Sequence, residues 1–179
     1  MKKEIFNPIF KDTCTFLKTS AETHGQVSDM MVELGAHGGN PMHKHSKFAE
    51  TFIVWEGELG LMHKGKKIIL AAGEKIIIEK GEPHCFFNPT NSPVKFQVRF
   101  NPGHEGAENM LRILYGMAAD GATDKKGIPK SLSTIALLGE LGDTTLTGMY
   151  SLLNPLLKRL AVRARKAGME KFLVNKYCI

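Results

Sequence analysis

Cysteine is scarce in this 179-residue chain: Cys14, Cys85 and Cys178 are an odd number without metal-type spacing. Neither a disulfide framework nor a cysteine-built zinc site fits that count, and three reduced thiols are expected. Any apolar run of membrane-spanning length is also missing. The opening Met1-Lys2-Lys3-Glu4-Ile5-Phe6-Asn7-Pro8 carries positive charge but lacks the apolar stretch of a secretory signal, so a cytoplasmic location is expected. No internal repeat and no low-complexity tract occurs, which argues against repeat architectures. What the chain does have is 42% hydrophobic residues, enough for an ordinary core, and a net charge of +6. The charge is uneven: residues 1–104 hold 13 Lys and Arg against 11 Asp and Glu, and residues 105–179 hold 11 against 7. The excess leans towards the C-terminal part.

The first hundred residues read as short strands cut by glycine, proline and asparagine. Gly57 bends Val54 to Leu59, Lys64-Gly65-Lys66 has the composition of a hairpin tip, and Gly73 separates Ile68-Ile69-Leu70 from Ile76-Ile77-Ile78. Val94, Phe96, Val98 and Phe100 alternate with Lys95, Gln97 and Arg99, the pattern of a strand with one buried face. After Gly103 the apolar period lengthens towards 3.6, and Met110 to Ala118 forms an amphipathic helix ended by Asp120-Gly121. Ser131 or Ser133 can cap a second helix through Leu138. A third is expected from about Pro155 to Ala167, with Asn154 as N-cap and Gly168 as its stop.

The chemistry concentrates in His43, His45, Glu50 and His84. His43 and His45 are two apart, so in an extended strand both imidazoles point to one face and Lys44 to the other. Glu50 heads the strand running to Trp55, and His84 opens another after the turn Gly81-Glu82-Pro83. Three imidazoles and a carboxylate suit a divalent first-row transition metal (Fe, Mn, Ni, Cu or Zn) and leave coordination positions open. Calcium, which takes oxygen ligands, does not suit this set.

The spacing around these residues is more specific than the residues alone. One block reads His43-x-His45, four residues, Glu50, six residues, Gly57; the next reads Gly73, seven residues, Gly81, two residues, His84, three residues, Asn88. The pair resembles both signature motifs of the cupin superfamily. Two departures spare the ligand positions: His37 stands where the first motif usually opens with glycine, and Glu79 where the second has proline. The fifteen residues from Glu58 to Ala72 between the motifs imply a compact barrel without an inserted loop. The resemblance implies a mainly β fold, a double-stranded antiparallel β-barrel of the jelly-roll type in residues 1–104. Residues 105–179 then form an α-helical C-terminal extension packing on the barrel or on a dimer partner. It also implies a metal held by His43, His45, Glu50 and His84, a small-molecule ligand or substrate, and a homodimer. The activity expected first is an Fe- or Mn-dependent oxygenase-type enzyme, a dioxygenase if oxygen is the co-substrate, with an isomerase also open. A non-enzymatic small-molecule binder and a ligand sensor in transcriptional control are the alternatives, since one fold serves all three.

Beside the ligands, Phe52 and Val54 share the parity of Glu50, and Phe86 that of His84, so they should form core and pocket wall together. Gln97 and Arg99 either face inwards, where a guanidinium could hold a substrate carboxylate, or lie on a solvated outer face. Asn88 is read as a turn-stabilising residue. His63 is expected on the surface, His24, His37 and His104 in loops or solvent, with His37 alone near the mouth. The third helix sets Leu152, Leu153, Leu156, Leu157 and Leu160 against Lys158, Arg159, Arg163, Arg165 and Lys166. Burial of the leucine stripe against the barrel, the Met110–Met117 helix or a dimer partner is the first expectation. Binding of the basic helix 155–167 to a membrane surface is the lesser one. Nucleic acid is not an expected partner, because no helix-turn-helix spacing is present.

Overall fold

The computed structural model describes residues 2–178. Met1 and Ile179, the outer ends of the two expected domains, lie outside the described residues. Eleven strands occur among them: β1 Glu4–Asn7, β2 Asp12–Lys18, β3 Ser28–Leu34, β4 His43–Lys44, β5 Ala49–Glu56, β6 Glu58–His63, β7 Lys66–Ala71, β8 Lys75–Ile78, β9 His84–Phe87, β10 Val94–Asn101 and β11 Thr145–Leu146. They form a six-stranded sheet in the order β1-β2-β3-β10-β5-β8 and a five-stranded sheet in the order β11-β4-β9-β6-β7, with antiparallel pairing throughout. This is the mainly β jelly roll expected, followed by helices. Alternation decides the faces: Val94, Phe96, Val98 and Phe100 are buried, as are Phe52 and Val54 on the neighbouring β5. Leu59, Leu61 and Leu70 close the core from the smaller sheet.

The turns obey their residues. Lys64 and Gly65 both adopt positive φ, 50° and 73°, and join β6 to β7 as a two-residue hairpin with His63 opposite Lys66. That conformation matches the right-handed twist of the flanking strands and favours glycine in the second position.

Four helices follow: α1 Glu105–Ala119, α2 Leu132–Leu141, α3 Asn154–Lys166 and α4 Met169–Tyr177. α1 starts earlier than its apolar period suggested, because the His104 side chain accepts a hydrogen bond from the Ala107 N–H and caps it. Its inner face carries polar groups onto β2, the start of β3 and the loop between them. The Arg112 guanidinium lies over the Phe16 ring at 3.7 Å, the Tyr115 hydroxyl donates to Asp12, and Glu108 accepts from Ser20 N and Ser28 Oγ, both at 2.6 Å. Ser131 caps α2, one of the two serines expected. A second apolar cluster, including Ile113, Met117, Leu137, Leu138 and Leu173, knits the helices together.

Two expectations for this region are corrected and one holds. Asn154 is the first residue of α3 rather than its cap; its Nδ2 donates instead to the Leu146 carbonyl. Gly168 ends α3 as expected, turning the backbone at φ 81°, and a further helix, α4, begins directly after it. The leucine stripe is not buried against the barrel or α1. Leu152 is 80% exposed, with Leu153 and Leu156 exposed as well, and the fully buried side chains of α3 are Ala161 and Ala164. These small residues allow the close approach of α3 to α2; Leu157 and Leu160, one turn before them on the same face, are half-buried, while Leu152, Leu153 and Leu156 stay exposed. No helix among the described residues is long and apolar enough to cross a membrane.

Candidate metal centre

His43 and His84 face each other directly across the β4–β9 pair, with ring centroids 4.5 Å apart. His45 follows β4 on the same side, 4.7 Å from His43 and 5.6 Å from His84 by ring centroids. Glu50 reaches in from β5 on the other sheet. Its Oε2 lies 2.5 Å from His84 Nε2, and its Oε1 3.8 Å from His45 Nε2. All four side chains are buried, and one ligand atom from each lies within 4.8 Å of every other.

What aims the rings is a carbonyl behind each of them. His43 Nδ1 sits 2.8 Å from the Pro41 carbonyl, His84 Nδ1 3.0 Å from that of Glu82, and His45 Nδ1 3.0 Å from that of Asp143. A carbonyl only accepts, so the proton of each neutral ring resides on Nδ1 and the Nε2 lone pair is left for the centre. Second-partner control of this kind fixes both tautomer and ring direction in histidine metal sites. Three neutral nitrogens and one carboxylate make a donor set that fits a divalent first-row ion.

The electrostatics agree with that arrangement. Burial pushes His43 down to about 4, so it is neutral and available as a ligand at ordinary pH. For Glu50, burial alone would favour the protonated acid, but the His84 hydrogen bond and the three imidazoles outweigh it and hold its pKa below the usual carboxylate range. For His84, burial is likewise outweighed, here by the hydrogen bond and charge of Glu50, and its pKa rises.

The pocket residues divide. Phe52, Val54 and Phe86 point inwards with Phe96; the Phe52 ring centroid is 6.2 Å from His84 and 6.0 Å from Phe86. Gln97 and Arg99 are not brought to the site. They occupy the outer face of the larger sheet, where Arg99 Nε and Nη2 and Gln97 Nε2 all donate to the Asp29 carboxylate at 2.7, 2.9 and 3.1 Å. Strand parity explains this: with Phe96 and Val98 committed to the core, their odd-numbered neighbours must face out. Asn88 holds a turn, its Nδ2 shared among the Leu34, Gly35 and Ser92 carbonyls. His37 is exposed and pairs with Asn91.

Sequence reasoning missed two supports. His63 is buried rather than on the surface, and its Nε2 is 2.7 Å from Glu82 Oε2, while Lys64 Nζ holds Oε1 at 2.7 Å. The carboxylate of Glu82 is thus anchored while its carbonyl serves His84. Asp143 is the second support, and no motif marks it, because any residue could offer a carbonyl. Its neighbours Thr145 and Leu146 form β11 beside Lys44 and His43, a pairing too short for periodicity to reveal.

The comparisons with known proteins fall on the same segment. A family model described as "Cupin domain" matches residues 30–108. Oxalate oxidase 2 of Hordeum vulgare is 31% identical over 124 residues, covering 65% of this chain and 52% of that protein. The chain therefore spans about half the length of the curated relative it matches. Among solved structures, an RmlC-like cupin from Shewanella frigidimarina superposes with a TM-score of 0.50 at 17% identity, covering 58% of this chain and 87% of the other. A predicted oxalate decarboxylase from Thermotoga maritima gives 0.49 at 21% identity, covering 51% and 80%. At these identities the structural likeness speaks to the fold alone.

Proposed function

Because residues 30–108 place this chain in the cupin superfamily, we propose that it binds one divalent first-row metal through His43, His45, Glu50 and His84 and acts there on a small organic molecule. The observation that carries this reading is the common aim of the three Nε2 atoms at one point shared with the Glu50 carboxylate. The activity we propose is that of an Fe- or Mn-dependent oxygenase. A bound metal supplies a Lewis-acid and redox centre with an open position for substrate. The chain's own residues do the rest. Phe52, Val54, Phe86 and Phe96 exclude water and shape an apolar wall, and Glu50 supplies the one carboxylate beside the three imidazoles.

The name of the barley relative makes oxalate the first substrate to try. Arg99, the cation that strand patterning offered for a substrate carboxylate, is engaged by Asp29 outside, so an anionic substrate would rely on the metal for its countercharge. Residues 1–104 are proposed as the barrel domain and residues 105–179 as an extension integrated with it. A cytoplasmic homodimer is the proposed form, with small molecules rather than nucleic acid as partners. The exposed leucines of the α3 region are the face offered to the second copy, and attachment to an anionic membrane surface is the competing use of the same helix.

Anaerobic loading with Fe or Mn, followed by oxygen-uptake assays against oxalate, phenolics, thiols and keto acids, tests the activity. Oxygen consumption with one of them is expected. Thermal stabilisation by a ligand without consumption would instead identify a binding protein.

A further inference from the structure

The segment matched as a cupin domain ends at residue 108, yet one of the four proposed ligands is aimed from beyond it. His43 and His84 each take their carbonyl from the residue two positions earlier, so their orientation is local to their own strands. His45 takes its carbonyl from Asp143, 98 residues away in sequence. The same residue clamps the loop after the ligand: its Oδ2 accepts from the N–H groups of Ser46 and Lys47, both at 2.6 Å, and its Oδ1 from Ser46 Oγ at 2.7 Å. Two residues later β11 adds backbone pairing to Lys44 and His43. The segment is also seated firmly on the helices. At Gly106 in α1, a Cβ would meet the Leu141 carbonyl oxygen at 2.2 Å, so only glycine permits this approach.

We propose that Asp143 is a positioning residue for His45, and that metal binding and the docking of residues 143–146 are therefore linked, each strengthening the other. The inference rests on the reading of the four residues as metal ligands. Without the Asp143 contacts, the loop from His45 to Lys47 loses three charge-assisted hydrogen bonds and the ring loses the partner that fixes its Nδ1 proton. Linkage then requires reciprocity: a metal that prefers the docked segment must stabilise docking to the same extent.

Asp143 sits at φ 50°, where glycine is unstrained, so Asp143→Gly introduces no backbone strain and keeps the carbonyl that faces His45, but removes the side-chain clamp that holds it docked there. Asp143→Asn keeps one carbonyl oxygen for the Ser46 and Lys47 N–H groups and tolerates the left-handed conformation. Co(II) is titrated into the metal-free full-length chain and both variants, following its visible absorption bands. Hydrogen exchange of the 144–147 amides is then measured with and without Co(II). Asp143→Gly is expected to weaken Co(II) binding by roughly 10- to 100-fold and to alter the band shape, with Asp143→Asn within a few-fold of the parent. Co(II) should slow exchange at 144–147 in the parent and much less in Asp143→Gly. Equal affinity and equal spectra for the parent and Asp143→Gly, or exchange at 144–147 indifferent to Co(II), overturns the linkage while leaving the ligand assignment intact. Absence of Co(II) binding by the parent overturns the ligand assignment itself.

Discussion

Across the gap between the two sheets, His84 Nε2 lies 2.5 Å from Glu50 Oε2. One side chain belongs to β9 and the other to β5, and the pairing raises the pKa of His84 while lowering that of Glu50. In the metal-free chain the favoured form of this pair is therefore imidazolium and carboxylate, and a metal entering the site must displace that proton.

Metal affinity should accordingly weaken as pH falls, and the decline should begin above the ordinary histidine value of 6.5. The sign follows from His84: below its raised pKa a proton competes for Nε2, and above it the nitrogen is free. His43, pushed down to about 4, contributes no competition until much lower pH. Calorimetry in two buffers of different ionisation enthalpy should show a proton released on metal binding at pH 6.5, and progressively less release as pH is raised. Zero protons released at the lower pH would contradict the pairing.

Replacing a ligand should act more strongly than replacing a support. His45→Ala and His84→Ala are each expected to lose more than about 100-fold in metal affinity, beyond what loss of a supporting partner causes, while far-UV circular dichroism keeps its β signature. Elemental analysis of the purified variants checks this. Stoichiometric metal retained in both would sink the ligand assignment.

A different dependence on pH should come from Asp12. It is 5% exposed, its Oδ1 has no hydrogen-bond partner, and burial raises its pKa from 3.8 to about 6 despite the hydrogen bond from Tyr115. A carboxyl with a raised pKa binds its proton more tightly in the folded than in the unfolded chain. Its contribution to stability is present below pH 3.8 and is lost as pH rises to about 6. A rise from 3.8 to about 6 corresponds to about 3 kcal/mol. Asp12→Asn should therefore be stabilising at neutral pH by up to about that amount and close to neutral near pH 4. Denaturant titrations at the two pH values, compared between parent and variant, measure the difference. An equal effect at both would show that Asp12 is not strained by its charge.

The exposed leucines give the fourth expectation. Leu152, Leu153 and Leu156 are all exposed, an apolar group that a second copy of the chain would cover. Sedimentation at micromolar concentration should find a dimer, and a Leu152→Ser/Leu156→Ser variant should weaken it by at least about tenfold, with one kcal/mol or more lost per buried leucine. A monomeric parent that instead co-sediments with anionic vesicles, and leaves them as salt is raised, would assign this helix to a membrane surface.

How far the sequence spoke depended on the range of the interaction. His43, His45, Glu50 and His84 were legible because strand parity and turn residues act over two to seven positions, and those rules place each of them inwards. The same alternation that buries Phe96 and Val98 turns Gln97 and Arg99 outwards; the ambiguity lay in which face was the core, and only packing of the second sheet decides that. Asp143 was not legible at all. Its role is played mainly by a backbone carbonyl, which every residue has, brought into place by the packing of α2 against α1 and α3. The α3 leucines misled for a related reason. Helical spacing says which residues share a face, but Ala161 and Ala164, by letting the helices approach, determine which face is turned inwards.

Because Glu50 stands on one sheet and His43 and His84 on the other, any ion held by all of them is a removable cross-link between the two halves of the sandwich. Chelation and force then act on the same bonds. Pulled through β5 and β9, the loaded protein should rupture at higher force than the metal-free one, although the hydrogen-bonded ladders of each sheet are unchanged. Ion exchange would set the resilience of this end of the barrel without any change of sequence.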